Sequence, residues 1–357
     1  MNKSISYHEQ IDIKNTIRLR EILNTMPSFC KDYFRAIEPM TSTKTRISYA
    51  YDIRVFFRYL LSQNPSFKNT SMQDLDVSIL DQLDVVDIEE FQEYLKVYES
   101  PDEELHTNKE RGLKRKMSAL RSFYLYYYKR QLITKNPTLL INMPKLHDKA
   151  IVRLDADETA SLLHYIEHCG TQLTGQQKRY YEKNRLRDLA IVTLLLGTGI
   201  RVSECVGLDI QDIDFKNNGI RIVRKGGNEM IVYFGTEVEQ ALHRYLEERN
   251  HTAALPGHEN ALFLSTQHKR IGIQAVENMV KKYASHITNT KKITPHKLRS
   301  TYGTALYQET GDIYLVAEVL GHKDVNTTRK HYAAMSDAKR RMAANVVKLI
   351  PSDDKNK

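Results

Sequence analysis

The segment 291–332 holds residues whose types and spacing suit the binding of a phosphate. His296 and Arg299 are three residues apart, so on a helix both side chains project from one face. Pro295 suits a first helical turn and Thr294 a cap, which places both side chains near a helix N-terminus. Because backbone donors and the helix dipole favour an anion there, the pattern predicts a site that binds and cuts a phosphodiester.

A second cationic group lies farther upstream, directly behind an apolar run. Residues 189–196 predict a buried helix that ends at 197–199, where two glycines occur. Arg201 follows this break, and a buried guanidinium requires an anionic partner, for which Glu204 is one turn away. The two residues form either a structural ion pair or an arginine that Glu204 directs at a phosphate.

Strand-like alternation over 212–234 predicts a β-hairpin with a tight turn at Gly226 and Gly227. Lys225 lies at its tip, beside Arg224. Viewed alone, Lys225 is a solvated turn residue. On a hairpin that folds over a substrate, its flexible ammonium group could instead donate a proton.

The N-terminal part of the chain is predicted to be helical, with helices at 41–61, 86–98 and 109–130. The last of these carries eight Lys or Arg and a single acid, Glu110. One basic helix is as often a solvated face as a binding surface, but two in one small domain favour DNA. The aromatic cluster at 123–128 is expected to pack in the core and at interfaces. The candidate DNA-binding residues are Lys44, Arg46, Arg54, Arg58, Lys114, Arg115, Lys116 and Arg121.

Prolines at 137 and 144 and the capping pattern from Asp155 to Glu158 indicate a boundary between two domains. We expect an N-terminal helical domain at 1–145, a linker at 146–155 and a C-terminal domain at 156–357, whose first helix runs from Ala156 to about His168. The basic segment 170–187 is either a loop that contacts DNA or a solvated insertion. The predicted fold class is mainly α with a small antiparallel β-sheet, an α+β arrangement.

The composition fits a polyanionic partner and a reducing compartment. With 53 Lys and Arg against 44 Asp and Glu, the formal charge is +9. The three cysteines are far apart, which argues against a disulfide framework or a cysteine zinc site. The N-terminus lacks the apolar core of a signal peptide, so we expect a soluble, cytoplasmic protein.

Taken together, these motifs resemble the tyrosine recombinases, or phage-type integrases, in particular the Xer-like and mobile-element enzymes. The resemblance rests on five fragments that occur in the family's order: Thr198 to Glu204, Lys225, His296 to Arg299, Leu320 to His322, and Tyr332. It implies an N-terminal core-binding domain and a C-terminal catalytic domain that form a C-shaped clamp on DNA. A C-terminal exchange helix would follow Tyr332, and we expect it to dock on a neighbouring subunit.

The resemblance also implies a division of labour at the site. Arg201 and Arg299 would clamp the nonbridging phosphate oxygens, His296 and His322 would add hydrogen bonds, and Glu204 would support Arg201. Tyr332 would attack to form a 3′-phosphotyrosine, while Lys225 protonates the leaving 5′-oxygen. Strand exchange would pass through a Holliday junction without ATP, metal or any other cofactor. The implied partners are double-stranded DNA with an inverted-repeat recombination site, a tetramer on two sites, and a cell-division or excision accessory protein.

Two departures from the family pattern and two alternative functions accompany this interpretation. Ser300 stands where many members have histidine, and Tyr332 follows His322 by ten residues. Tyr302, Tyr307 and Tyr314 are rival phenols, of which the first two are expected to pack in the core. The same chemistry would serve a topoisomerase of the tyrosine IB kind. A catalytically silent DNA-binding accessory or regulatory protein is the alternative from another class.

Overall fold

A computed structural model describes residues 6–68, 70–99, 104–147, 151–224, 227–321 and 325. The chain divides into two units, Met1–Asp148 and Lys149–Lys357. Within the described residues, no helix combines the length and the apolar character needed to cross a membrane.

The N-terminal unit is built from six helices and one short hairpin in its described part. Its elements are α1 (Tyr7–Leu23), α2 (Cys30–Ala36), α3 (Thr43–Gln63), α4 (Ile79–Gln82), α5 (Val85–Tyr94), β1 (Val97–Glu99), β2 (Leu105–Thr107) and α6 (Glu110–Lys129). The apolar stripes of α3 and α6 face each other, and their aromatic side chains fill the core. Phe123, Tyr124 and Tyr127 are at most 1% exposed, so the predicted packing role is confirmed for these three, whereas Tyr128 is 42% exposed.

The hairpin of the N-terminal unit was not predicted from the sequence. The helix expected at 86–98 ends at Tyr94, and β1 then pairs with β2 in antiparallel register, with Tyr98 opposite His106. The rings of these two residues stack at 5.2 Å between centroids. Three-residue strands are too short to show the alternation from which strands are predicted.

The C-terminal unit adds seven helices and a three-stranded sheet in its described part. Its elements are α7 (Ala156–His168), α8 (Gly175–Thr198), α9 (Val202–Gly207), β3 (Ile213–Asp214), β4 (Gly219–Val223), β5 (Glu229–Tyr233), α10 (Thr236–Asn250), α11 (Ile273–Ala284), α12 (Pro295–Thr310) and α13 (Ile313–Leu320). The strands pair antiparallel in the order β3-β4-β5. The predicted fold class, mainly α with a small antiparallel sheet, is confirmed.

Most of the basic segment 170–187 is helical, so the prediction of a loop was wrong, whereas Lys178, Arg179 and Lys183 are exposed, as the alternative of a solvated segment expected. From Gly175 it forms the first half of α8, continuous with the predicted apolar helix. Tyr181 and Arg187 explain why, since both are buried on one face. The hydroxyl of Tyr181 donates to the Glu167 carbonyl at 2.6 Å. This side of the helix is therefore tied to the core, and the exposed basic side chains lie on the other.

The start of α7 has the capping box that the sequence predicted, and it lies beside α12. Asp155 caps α7 through the N–H of Glu158, and the Glu158 carboxylate accepts the N–H of Asp155 in return. Just before this cap, the N–H of Leu154 donates to the Thr301 hydroxyl at 3.0 Å. This bond fastens the segment entering α7 to α12, the helix that carries His296 and Arg299.

Candidate active site

Arg201 stands at the N-cap of α9 and is held by Glu204. The Glu204 carboxylate accepts the backbone N–H of Arg201 and its guanidinium Nη1, both at 2.7 Å. The Glu204 side chain is 3% exposed, whereas that of Arg201 is 37% exposed. The predicted pairing is confirmed. A buried carboxylate thus fixes a guanidinium that still presents part of its edge to solvent.

Arg299 is 4% exposed and lies between two backbone carbonyls. Its Nη1 donates to the Gly199 carbonyl and its Nη2 to the Leu320 carbonyl. Gly199 ends α8 with φ of 63°, and a Cβ there would lie 2.4 Å from Cδ1 of Tyr302. Both the positive φ and the close packing require glycine. The break after the apolar run therefore helps to position Arg299.

Three arginines from three different elements donate to three consecutive carbonyls at the C-terminal end of α13. Arg224, at the end of β4, donates from Nη2 to Val319 O at 2.8 Å. Arg201 donates from Nη2 to Gly321 O at 3.3 Å. Arg299 donates to the carbonyl between these two, Leu320 O. The last carbonyls of a helix lack intrahelical donors and carry partial negative charge, so guanidinium groups suit them.

Arg224 is the residue of this cluster that the sequence-based catalytic set missed. Gly321, which has φ of 61°, makes room for it, because a Cβ there would lie 1.0 Å from Nη1 of Arg224. Burial lowers the pKa of Arg224; Glu204 raises it and Arg201 lowers it further. The sequence did offer one sign of Arg224, its position beside Lys225 at the predicted hairpin tip. Only the fold shows that its side chain reaches α13.

The N-terminal turn of α12 has the predicted placement of His296 and Arg299. Pro295 is in the first turn and Thr294 at the N-cap, although within the described residues the Thr294 side chain bonds no N–H of that turn. His296 is exposed, whereas Arg299 is buried. The Ser300 hydroxyl donates to the His296 carbonyl at 3.0 Å. Ser300 therefore bonds back along its own helix, as serines in helices often do.

Three predicted catalytic residues, Lys225, His322 and Tyr332, lie outside the described residues. So does the expected exchange helix. Lys225 directly follows Arg224, and His322 directly follows Gly321, in the chain. The described residues that precede Lys225 and His322 therefore belong to the arginine cluster.

The rival tyrosines are accounted for by their surroundings. Tyr302 and Tyr307 pack against the small cluster formed by Val316 and Leu320, so their predicted packing role is confirmed. Burial raises the pKa of Tyr302, which disfavours the phenolate that a nucleophile requires. Tyr314 is 70% exposed in the first turn of α13, at the end opposite the three arginines.

The candidate DNA-binding residues of the N-terminal unit fall into two groups. In the first group, Arg46 is 8% exposed and pairs with Glu38 at 2.9 Å. Lys116 is 9% exposed and pairs at 3.3 Å with Asp52, which is itself buried. Arg115 pairs with the same carboxylate. Arg46 and Lys116 therefore stabilise the unit from within, whereas the Arg115 side chain is 45% exposed and pairs with Asp52 from the surface.

Arg121 joins this first group of bonded side chains, and the remaining candidates form the second group. The Arg121 guanidinium donates to the Thr138 carbonyl at 2.8 Å and 3.0 Å, where it fastens the chain that follows α6. Lys44 is exposed, and the other surface candidates are half-buried. The half-buried candidates are Arg54, Arg58 and Lys114.

In the part of the chain that the structure describes, no three His, Cys, Asp or Glu side chains are grouped so that they could hold a metal ion.

The comparisons with known proteins agree on one family. Residues 152–339 match the phage integrase family. The chain is 32% identical over 352 residues to tyrosine recombinase XerC of Caldanaerobacter subterraneus subsp. tengcongensis, across 96% of this chain and 89% of the relative. It is 29% identical over 347 residues to tyrosine recombinase XerS of Streptococcus equi subsp. equi, across 90% of this chain and 95% of the relative.

The fold is similar to that of XerH site-specific recombinase bound to a palindromic difH substrate in a post-cleavage complex. The TM-score is 0.66 at 20% sequence identity, and the match covers 97% of this chain and 91% of the other. Fold and sequence together place the chain among the site-specific DNA recombinases. It belongs to the phage integrase family, as its motifs predicted, and is an enzyme of the tyrosine recombinase type that cuts and rejoins DNA strands.

Proposed function

We propose that the arginine cluster at the end of α13 is the phosphate-binding centre at which one DNA strand is cut. The observation that carries this proposal is that Arg201 and Arg299 donate to adjacent carbonyls, Gly321 O and Leu320 O. Two guanidiniums anchored one residue apart can contact both nonbridging oxygens of one phosphate. In the transition state those oxygens gain negative charge, which fixed cations stabilise without reorganisation.

The proposed reaction is a direct exchange at phosphorus. The phenol oxygen of Tyr332 forms a bond to the phosphorus as the bond to the 5′-oxygen breaks, which leaves a 3′-phosphotyrosine. Tyrosine has an ordinary pKa near 10, so its proton must leave during the attack, and we assign its removal to His296. Lys225 donates a proton to the departing 5′-oxygen, and His322 donates a hydrogen bond to a nonbridging oxygen.

Rejoining is the reverse reaction with a different strand. The 5′-hydroxyl of a second strand attacks the phosphotyrosine, which restores the phenol and a phosphodiester and leads through a Holliday junction. One phosphoester is exchanged for another at each step, so no ATP is consumed. The fixed cations of Arg201 and Arg299 supply the electrostatic stabilisation that a metal provides in other enzymes.

We also propose that the substrate is double-stranded DNA and that the N-terminal unit is the core-binding domain. The formal charge of +9 supports a polyanionic partner. Lys44, Arg54, Arg58 and Lys114 are at least partly exposed and have no ion pair within the described residues, which favours these four as phosphate contacts. We assign the internally paired group of Arg46, Arg115, Lys116 and Arg121 mainly to stability, because a buried or bonded cation has less surface to offer a phosphate.

Strand exchange requires two sites, so we propose that the chain assembles as a tetramer on inverted-repeat DNA. The apolar positions at 335–349 fit a helix that docks on a neighbouring subunit. Removing the chain from residue 339 should leave binding to a single site intact and abolish the two-site complex in gel electrophoresis. An unchanged two-site complex would contradict this role.

The decisive experiment traps a covalent protein–DNA adduct. Sheared genomic DNA of the source organism is incubated with the protein, the mixture is denatured, and fragments linked to protein are sequenced to find the site. A nicked duplex containing that site should then give an adduct with the wild type and none with Tyr332→Phe. Tyr314→Phe, which changes an exposed tyrosine at the far end of α13, is the matched control and should give the wild-type amount.

The alternatives predict different outcomes. If wild-type protein binds the site but yields no adduct, the chain is a DNA-binding accessory protein. A type IB topoisomerase would form the adduct and relax supercoiled plasmid as a monomer, without the recovered site. Adduct formation that needs the recovered site and a two-site complex supports recombination.

A further inference from the structure

The β4–β5 hairpin is closed by the backbone of Arg224. Its N–H donates to Asn228 O at 2.8 Å, and its carbonyl accepts the N–H of Gly227 at 3.0 Å. Arg224 is therefore the last residue of the hairpin stem before the turn. Because Lys225 is the next residue in the chain, whatever fixes Arg224 also fixes the point from which Lys225 begins.

The Arg224 side chain leaves the hairpin and ends on α13. Its Nη2 donates to Val319 O at 2.8 Å, and Gly321 leaves the space that its Nη1 occupies. With no Cβ at Gly321, a planar guanidinium can lie directly against the end of the helix. The hairpin stem and the end of α13 are thus joined by one side chain.

A neighbouring arginine of the same hairpin shows that this contact is particular to Arg224. Arg221 lies three residues earlier, and its guanidinium donates to Asp212 at 2.8 Å. Its side chain is 50% exposed. Both arginines are cationic and both belong to one hairpin, yet of the two it is Arg224 that bonds to α13. Charge alone therefore does not account for the placement of Arg224.

We propose that Arg224 is a positioning residue for strand cleavage: its guanidinium fastens the hairpin stem to the C-terminal end of α13, so that the adjacent Lys225 delivers its proton to the leaving 5′-oxygen. The proposal rests on the proposed role of Lys225. The same end of α13 also holds Arg201 and Arg299 through its last carbonyls. One helix end would then fix both the phosphate clamp and the proton donor in one frame.

A defect in proton donation can be separated from other defects by changing the leaving group. When the bridging 5′-oxygen of the scissile phosphate is replaced by sulfur, the leaving group is a thiolate. A thiol has an ordinary pKa near 8.5, so it departs without needing a proton from the enzyme. A defect in proton donation should vanish on this DNA. A defect in phosphate binding or in folding should persist.

The experiment measures single-turnover cleavage of a nicked duplex at the recovered site, with oxygen or sulfur at the bridging position. On oxygen DNA, Lys225→Ala should be slower by about 10²- to 10⁴-fold, the usual contribution of general acid catalysis. Arg224→Met should be slower by about 10- to 100-fold, the cost of a misplaced catalytic group. On sulfur DNA, both variants should cleave at nearly the wild-type rate.

Arg221→Met is the matched control and should cleave both substrates like the wild type. Arg224→Lys keeps the charge but not the planar fork, and should show a smaller defect that sulfur also relieves. It also serves as the test variant if Arg224→Met does not fold.

The outcomes separate this inference from the function on which it rests. If sulfur rescues Lys225→Ala but leaves both Arg224 variants equally slow, Arg224 does not act through the proton donor and the proposal is overturned. If sulfur fails to rescue Lys225→Ala, Lys225 is not the donor and the proposed role fails first. Adduct formation through Tyr332 is measured separately and stands in either case.

Discussion

Replacing Glu204 by glutamine tests whether a buried carboxylate holds Arg201 in place for phosphate binding. Both oxygens of Glu204 are used, one by the backbone N–H of Arg201 and one by its guanidinium, each at 2.7 Å. An amide offers one oxygen and one NH₂ group, so one of these two bonds becomes a contact between two donors. The charge that strengthens the remaining bond is also lost.

The size of the effect follows from burial. A hydrogen bond to a charged group is worth roughly 1.5–3 kcal/mol, and the 3% exposure of Glu204 leaves little room for water to replace it. For a unit of this size, that loss lowers the melting temperature by roughly 3–12 °C. Losing a whole oxyanion-stabilising donor costs about 10²–10³-fold in rate. Because Arg201 remains present but less well held, we expect cleavage to slow by about 10- to 100-fold.

The assay is single-turnover cleavage of the nicked duplex well below the melting temperature, with unfolding followed by circular dichroism. A double-mutant cycle supplies the control. In an Arg201→Met background, Glu204→Gln should slow cleavage little further, because the residue it positions is gone. A full additional loss in that background would refute the reasoning, as would a folded Glu204→Gln variant that cleaves at the wild-type rate.

Three further predictions concern the packing and charge of both units. Gly199→Ala should destabilise the chain by more than the roughly 1 kcal/mol cost of a left-handed alanine, because its Cβ meets Tyr302, and heat denaturation should show a clear drop. The three buried cysteines should resist alkylation at pH 8 in the folded chain and react in denaturant, since burial raises the pKa of each thiol and suppresses the thiolate; rapid labelling of the native protein would contradict this. Lys114→Ala should reduce the slope of log binding constant against log salt concentration by about 0.9, whereas Lys116→Met should lower stability and leave that slope unchanged.

The elements that position the site were predictable where a local pattern determines them. The pattern from Asp155 to Glu158 predicted the start of α7, because a capping box is a local arrangement of hydrogen bonds. Gly199 gave the end of α8 because a left-handed residue after an apolar run is a helix-stop signal. The pairing of Arg201 with Glu204 followed from helical spacing. In each case all of the interacting groups lie within a few residues.

Features that depend on distant contacts were missed or misjudged. The polar residues 175–187 look like a loop until Tyr181 and Arg187 are seen to bury one side of the helix. Arg46 and Lys116 looked like surface cations. Their partners, Glu38 and Asp52, lie on other segments of the chain, so helical spacing does not reveal the ion pairs. A list of Lys and Arg residues does not distinguish a phosphate contact from an internal ion pair.

The end of α13 shows why the arginine cluster was only partly visible in the sequence. Arg224 and Arg299 donate to peptide carbonyls, which hold a guanidinium without cancelling its charge. Looking for carboxylate partners of buried arginines found Arg201 with Glu204. Arg299 was predicted from its spacing to His296, and Arg224 was missed. Carbonyl anchors come from any residue type and leave no trace in composition. A guanidinium held by carbonyls keeps its net positive charge for a phosphate, whereas the charge of one paired with a carboxylate, such as Arg201 with Glu204, is partly offset.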